Sequence, residues 1–120
     1  MAFFTDSSSY AWNDETLSIG TTYSDWIPLI ENCSSHSANG KFTSAGGAGM
    51  LKLSYQLASM PNSDYAVTQG VVFPAQTEAG SPFLKNMQLK GTYYLRFVAE
   101  VTVEDITGAT VVFAQTGKGA

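Results

Sequence analysis

Thr92-Tyr-Tyr-Leu-Arg-Phe-Val-Ala-Glu-Val-Thr-Val103 carries the clearest structural signal in this chain. Tyr93, Leu95, Phe97, Ala99, Val101 and Val103 hold the odd positions, while Thr92, Arg96, Glu100 and Thr102 interleave with Tyr94 and Val98 on the even ones. An apolar residue at every second position is the period of a strand with one face on a core. Glu104-Asp105-Ile106-Thr107-Gly108 follows, and a glycine at the end of such a loop suits the left-handed position of a bulged hairpin. Ala109 to Gln115 then returns with Val111 and Phe113 on one face, so the pattern predicts a hairpin near the end of the chain.

Working outward, Met50 to Leu57 alternates Leu51, Leu53, Tyr55 and Leu57 with Lys52, Ser54 and Gln56. An apolar set at that spacing would wrap around a helix, so a strand is the fit. Tyr65 to Phe73 reads as another strand, bulged at Gly70, and Met87 to Gly91 as a short one leading into the long strand. Thr16–Tyr23 and Trp26–Ile30 are shorter strands, the latter held to an edge or bulge by Pro28. Ser34 to Gly49, rich in Ser, Gly and Ala and containing the turn-like Asn39-Gly40, reads as a long loop with room for a small hairpin. Pro74 to Pro82 reads as a second loop. Short strands separated by turn signals predict an all-β fold, a jelly-roll-like β-sandwich of about seven or eight antiparallel strands. The expected division is an N-terminal arm over 1–15, a sandwich domain over 16–116 and a frayed tail over 117–120.

Composition bounds the function. The 120 residues are one domain's worth, and 44% hydrophobic residues supply a sizeable core without a disulfide or metal staple. Six Lys plus Arg against ten Asp plus Glu leave a net charge of −4. No basic stripe exists to neutralise phosphates, which argues against a nucleic-acid partner. Only 13% of residues are charged; 13 Ser, 12 Thr, 11 Gly and 15 aromatics stand in their place. A neutral, Thr-rich exterior suits a surface that meets other protein. No apolar run reaches the length of a membrane span or of a signal-peptide core, so synthesis in a host cytoplasm is expected. The lone cysteine fits folding in a reducing compartment.

Chemistry-bearing sets are sparse. Cys33 and His36 form the one nucleophile–base pair available, but three-residue spacing in a Ser/Gly loop provides no framework and no third group. They read as a half-buried cysteine and a solvated histidine. Asp14, Glu15, Asp25 and Glu31 read as exposed loop acids rather than a glycosidase pair. One His and one Cys are too few for a transition-metal site, and Glu104-Asp105 lacks the spaced ladder of a calcium loop. Gly46-Gly47-Ala48-Gly49 lacks the Lys-Ser/Thr and helix of a phosphate cradle. No catalytic residue, metal or cofactor is expected.

Surfaces remain. Phe3, Phe4, Tyr10 and Trp12 precede the first convincing strand, and Ser7-Ser8-Ser9 resembles a hinge. These rings are the expected interaction residues, on an arm that either packs on its own sandwich or docks on a neighbouring subunit, with Tyr10 and Trp12 the candidates for an exposed platform. Trp26, in the apolar setting Tyr23-Ser-Asp-Trp26-Ile-Pro-Leu29, is expected in the core.

Ser24-Asp-Trp26-Ile27-Pro28-Leu29 and Gly91-Thr-Tyr93-Tyr94-Leu95-Arg96-Phe97-Val98, leading to Val111-Val112-Phe113, resemble strands of small β-sandwich structural proteins of tailed bacteriophages. The resemblance implies a virion component, a head decoration (cement) protein that bridges capsomers and carries no catalytic residues. Its expected partners are the major capsid protein or other virion proteins and further copies of itself, with a trimer suggested by the three-fold positions of a shell. A tail or fibre module that binds host-surface glycans is the alternative.

Overall fold

The computed structural model describes residues 3–31, 33–87, 89 and 93–119, and the side chains of these except at 3–6, 118 and 119. Among the described residues nine strands follow one another: β1 Phe3–Leu17, β2 Gly20–Tyr23, β3 Ile27–Pro28, β4 Ser35–Ser44, β5 Met50–Ala58, β6 Val67–Gln76, β7 Phe83–Met87, β8 Tyr94–Thr102 and β9 Ile106–Gly119. Two antiparallel sheets form a sandwich. One has the order β1-β9-β4-β7, the other β2-β8-β5-β6, with β3 beside β2 on β8.

This is the winding of a jelly roll. The pairs β1/β9, β2/β8, β4/β7 and β5/β6 nest as though one long hairpin had been folded and wrapped. Contacts β9–β4 and β8–β5 then fix the wrapped turns to each other. Each sheet turns one face inward. Leu95, Phe97, Ala99 and Val101 of β8 are buried with Leu51 and Leu53 of β5, facing Phe42, Ala109, Val111 and Phe113 of the other sheet. The sheets touch through rings: Phe97 meets Phe113 edge-on at 5.8 Å, and Phe42 stacks on Phe73 at 6.1 Å. Burying each such side chain contributes about 1.5–3 kcal/mol, and the ring pairs somewhat more.

Several expectations need correction. The hairpin predicted around Gly108 does not form, because β8 and β9 lie in opposite sheets. Val103 leaves the alternation with φ 75°, exposed, and the chain crosses the sandwich there. A pattern of period 2 reports one buried face and is silent on the partner strand. The expected loop Ser34–Gly49 contains β4, a central strand. Its inward positions are His36, Ala38, Phe42 and Ser44, too small or too polar to register as an apolar alternation. Asn39-Gly40 is mid-strand rather than a turn, and Gly40 is required by the approach of Thr110 and Phe83. Thr16–Tyr23 is two strands separated at Ser18–Ile19, and β7 ends at Met87, where the short strand expected at Met87–Gly91 would begin. Residues 88 and 90–92 lie outside the described residues. The bulge expected at Gly70 is present, since Tyr55 pairs with Gly70 and Gln56 with Thr68, leaving Gln69 extra.

Residues 3–17, which include most of the segment expected as an arm, run as β1 along β9 from Phe3/Gly119 to Leu17/Ile106. Gly117–Gly119 of the expected tail pair with Phe3–Thr5.

Candidate functional site

The two ends of the sandwich differ in chemistry. At one end the crossovers β1–β2, β4–β5, β6–β7 and β8–β9 are laced together by carboxylates. Glu104 Oε1 accepts from the Gly46 N–H at 2.8 Å and the Ala48 N–H at 3.1 Å. Asp105 Oδ1 accepts from the Ile19 N–H at 2.9 Å, and Glu78 Oε2 from the Ser44 N–H at 3.3 Å. The glycine-rich run 46–49 is thus an anion cradle whose anion comes from the same chain. Gly47 there has φ 73°, and a Cβ at Gly46 or Gly49 would crowd Glu104. The Ser44 hydroxyl first, then the N–H groups of Gly46, Ala48 and Gly49, hold the Glu104 carboxyl below its usual range.

The opposite end opens into a cleft of about 550 Å³ lined by Tyr55, Leu57, Tyr65, Val67, Gln69, Leu89 and Tyr93. Beside it, on the outer face of the second sheet, Arg96 lies over two rings, 4.1 Å from the centre of Tyr23 and 4.6 Å from that of Trp26. Arg96 Nε donates to Gln56 Oε1 at 2.8 Å, and Gln56 Nε2 donates to Thr68 Oγ1 at 3.4 Å. One polar stripe with aromatic flanks therefore crosses β8, β5 and β6. Tyr, Trp and Arg are the residues that anchor protein interfaces, and a tyrosine-lined cleft also suits the apolar face of a sugar ring.

The tryptophans exchange their expected roles. Trp12 is 4% exposed and belongs to the core, so it offers no platform. Trp26 lies outside the core cluster, half-buried, with one face under Arg96. Trp12 and Leu17, five residues apart, share the buried face because bulges between Tyr10 and Leu17 break the alternation, so no period-2 pattern marks Trp12 as a core residue. Tyr10 is 61% exposed, as a platform needs. Phe3 and Phe4 sit opposite Gly119 and Lys118 on β1; their side chains lie outside the described ones.

His36 is the other correction: it is buried rather than solvated, stacked 5.9 Å from Phe113, with no hydrogen-bond partner for Nδ1 among the described residues. Cys33 is half-buried in the loop before β4. Asp14, Glu15, Asp25 and Glu31 are all exposed, on β1 and on the loops flanking β3. Among the described residues no three His, Cys, Asp or Glu are grouped to hold a metal ion.

Burial pushes the His36 pKa below its ordinary 6.5. Between that value and the lowered one the unfolded chain takes up a proton that the folded chain refuses, so stability falls as pH drops below 6.5. The Glu104 contribution is full above the usual carboxylate range and disappears on further acidification through its lowered value. Urea midpoints followed from about pH 8 to about pH 3 should therefore show two limbs. His36→Leu should flatten the upper and Glu104→Gln the lower. An upper limb that persists in His36→Leu would refute the assignment.

No family model matches this chain, and no curated protein matches it. Among solved structures it is similar to a chain in the structure of infectious bursal disease virus Gx strain, with TM-score 0.60 and 14% identity, covering 98% of this chain and 33% of that one. It is also similar to a chain in the structure of the Gt strain of that virus, with TM-score 0.57 and 15% identity, covering 97% and 33%. This chain spans about one-third of the length of the chains it matches. At such identities the likeness is one of fold: a jelly-roll sandwich of the kind found in one part of a virus particle's chain.

Proposed function

We propose that this chain is a non-enzymatic structural protein of a virion, a decoration (cement) protein that binds the outside of a bacteriophage head, bridges capsomers through the major capsid protein, and self-associates. The observation that carries the reading is the jelly-roll correspondence over nearly the whole chain with part of a chain from a virus particle. The outer face of the second sheet, with Tyr23, Trp26 and Arg96 gathered together, supplies anchor residues for such contacts. Fold is shared by many functions, so the role rests on these surfaces and on the strand patterns together. The test is co-sedimentation of the purified chain with empty heads of the virus that encodes it. Saturable binding at a fixed copy number, weakened by Arg96→Ala, is the expected result. A chain that never pellets with heads overturns the reading.

The three tyrosines of the cleft favour a second reading, a tail or fibre module for host-surface glycans. A glycan array separates the two: binding that Tyr65→Ala abolishes selects the glycan module, and an empty array removes it.

A further inference from the structure

We propose that the first half of β1 is a docking edge for a second copy of this chain, joining two four-stranded sheets into one of eight strands. The proposal deepens the self-association in the virion reading and rests on it for its setting.

Unpaired N–H and C=O groups along an exposed sheet edge are a template for another strand, and native proteins blunt such edges with short strands, bulges, proline or lysine. Among the described residues, three of the four sheet edges are blunted in this way. On the second sheet, β2 and β3 have only four and two residues, and β3 contains Pro28. The opposite edge, β6, carries Pro74 and shows three breaks of register against β5. On the first sheet, β7 has five residues, one of them Lys85. The remaining edge is β1, 15 residues long. Its three breaks of register all fall after Tyr10, where Asp14 adopts a positive φ of 53°. From Phe3 to Tyr10 it pairs one for one with Gly119 to Val112, and this run contains no proline, glycine or lysine. Eight residues make an edge about 27 Å long.

The run is complementary to itself. Ser7, Ser9 and Ala11 face inward and half-buried, while Ser8 and Tyr10 are exposed. If two sandwiches are to keep their outer faces on one side of a shared sheet, odd positions must oppose odd and even oppose even. Two such antiparallel registers of equal length fit inside the unbroken run; one centred on Asp6 would oppose that carboxylate to its own copy, so the register is the one centred on Ser7. It sets Phe4 opposite Tyr10, Thr5 opposite Ser9 and Asp6 opposite Ser8. Asp6, the one charge in the run, meets a hydroxyl and not its own copy, and the remaining pairs join hydroxyl or aromatic positions, the kinds of cross-strand pair that stabilise sheets. The contact closes on a two-fold axis and so produces a dimer, not the trimer expected from shell symmetry.

The test uses the full chain with Cys33→Ser as background. Sedimentation should show a concentration-dependent dimer, and Ser8→Glu, at an exposed position opposite Asp6 of the second copy, should set like charges against each other and raise the dissociation constant at least about tenfold, with the thermal midpoint of the dilute monomer unchanged. Ser7→Cys should form an intermolecular disulfide on mild oxidation, since directly opposed strand positions fall within bridging distance. The control is Thr68→Cys, on the edge of the other sheet. A monomer at about 1 mM, an undiminished dimer in Ser8→Glu, or cross-linking of Ser7→Cys no faster than the control would each overturn the proposal. Head binding by a chain that stays monomeric overturns the edge pairing and leaves the virion role standing. A dimer with no affinity for heads does the reverse.

Discussion

Trp12→Ala is expected to cost about 3–5 kcal/mol, a large part of the 5–15 kcal/mol that holds a typical domain together, whereas Trp26→Ala is expected to cost about 1 kcal/mol. The contrast follows from where the two rings lie. Trp12 sits in the core cluster, where truncation leaves a cavity that Leu17 and the flanking strands cannot fill without moving. Trp26 is half-buried on the outer face, and its loss removes one of the two rings against Arg96 while Tyr23 remains. Urea midpoints of the two variants, measured side by side, decide the matter. A costlier Trp26→Ala would place the core on the wrong tryptophan. The same burial means that a truncation removing residues 1–12 takes away a core ring along with the edge strand, so it should unfold the domain rather than merely free it from its partners.

The second large effect is expected at Gly40. A methyl group there would overlap the carbonyl oxygen of Thr110 and lie 3.1 Å from the Phe83 ring. Gly40 is in β4, with β9 on one side and β7 on the other, pairing with Val111 and Phe83. The obstacle on the β9 side is backbone, which cannot rotate away as the end of a flexible side chain can. Gly40→Ala should therefore cost at least the upper part of the 1–3 kcal/mol usual for overpacking, and Gly40→Val should leave no folded protein. The check is the urea midpoint of the alanine variant and the near-ultraviolet circular dichroism of the valine one. Native stability in Gly40→Ala would show that β4 and β9 have room to part.

Both effects touch β4 or β1, the two strands that patterning read least well, and the reason is physical. Alternation is visible where inward positions are large and apolar, as in β8 and β5. In β4 the inward residues are His36, Ala38, Phe42 and Ser44, so the same geometry leaves no comparable trace. In β1 the bulges between Tyr10 and Leu17 shift the phase of the pattern, which hides Trp12 among serines and acids. The aromatic stripe had a partial signal: Tyr23, Trp26 and Arg96 each stand in a strand-like segment. Their meeting depends on β2 and β3 both lying along β8, about seventy residues away.

What the amino-acid sequence by itself determined is the class of the fold. Period-2 runs at 50–57 and 93–101, turn-rich connections and neutral hydroxyl faces suffice for an all-β sandwich with Leu95, Phe97, Val111 and Phe113 at its centre. What only the tertiary structure decided is which strand lies beside which, which tryptophan is buried, and which edge is left open. Those choices depend on pairings between residues as far apart as Phe3 and Gly119. A strand's own residues record that one of its faces is buried, while its neighbours are selected by packing and hydrogen bonding across the whole wrapped chain.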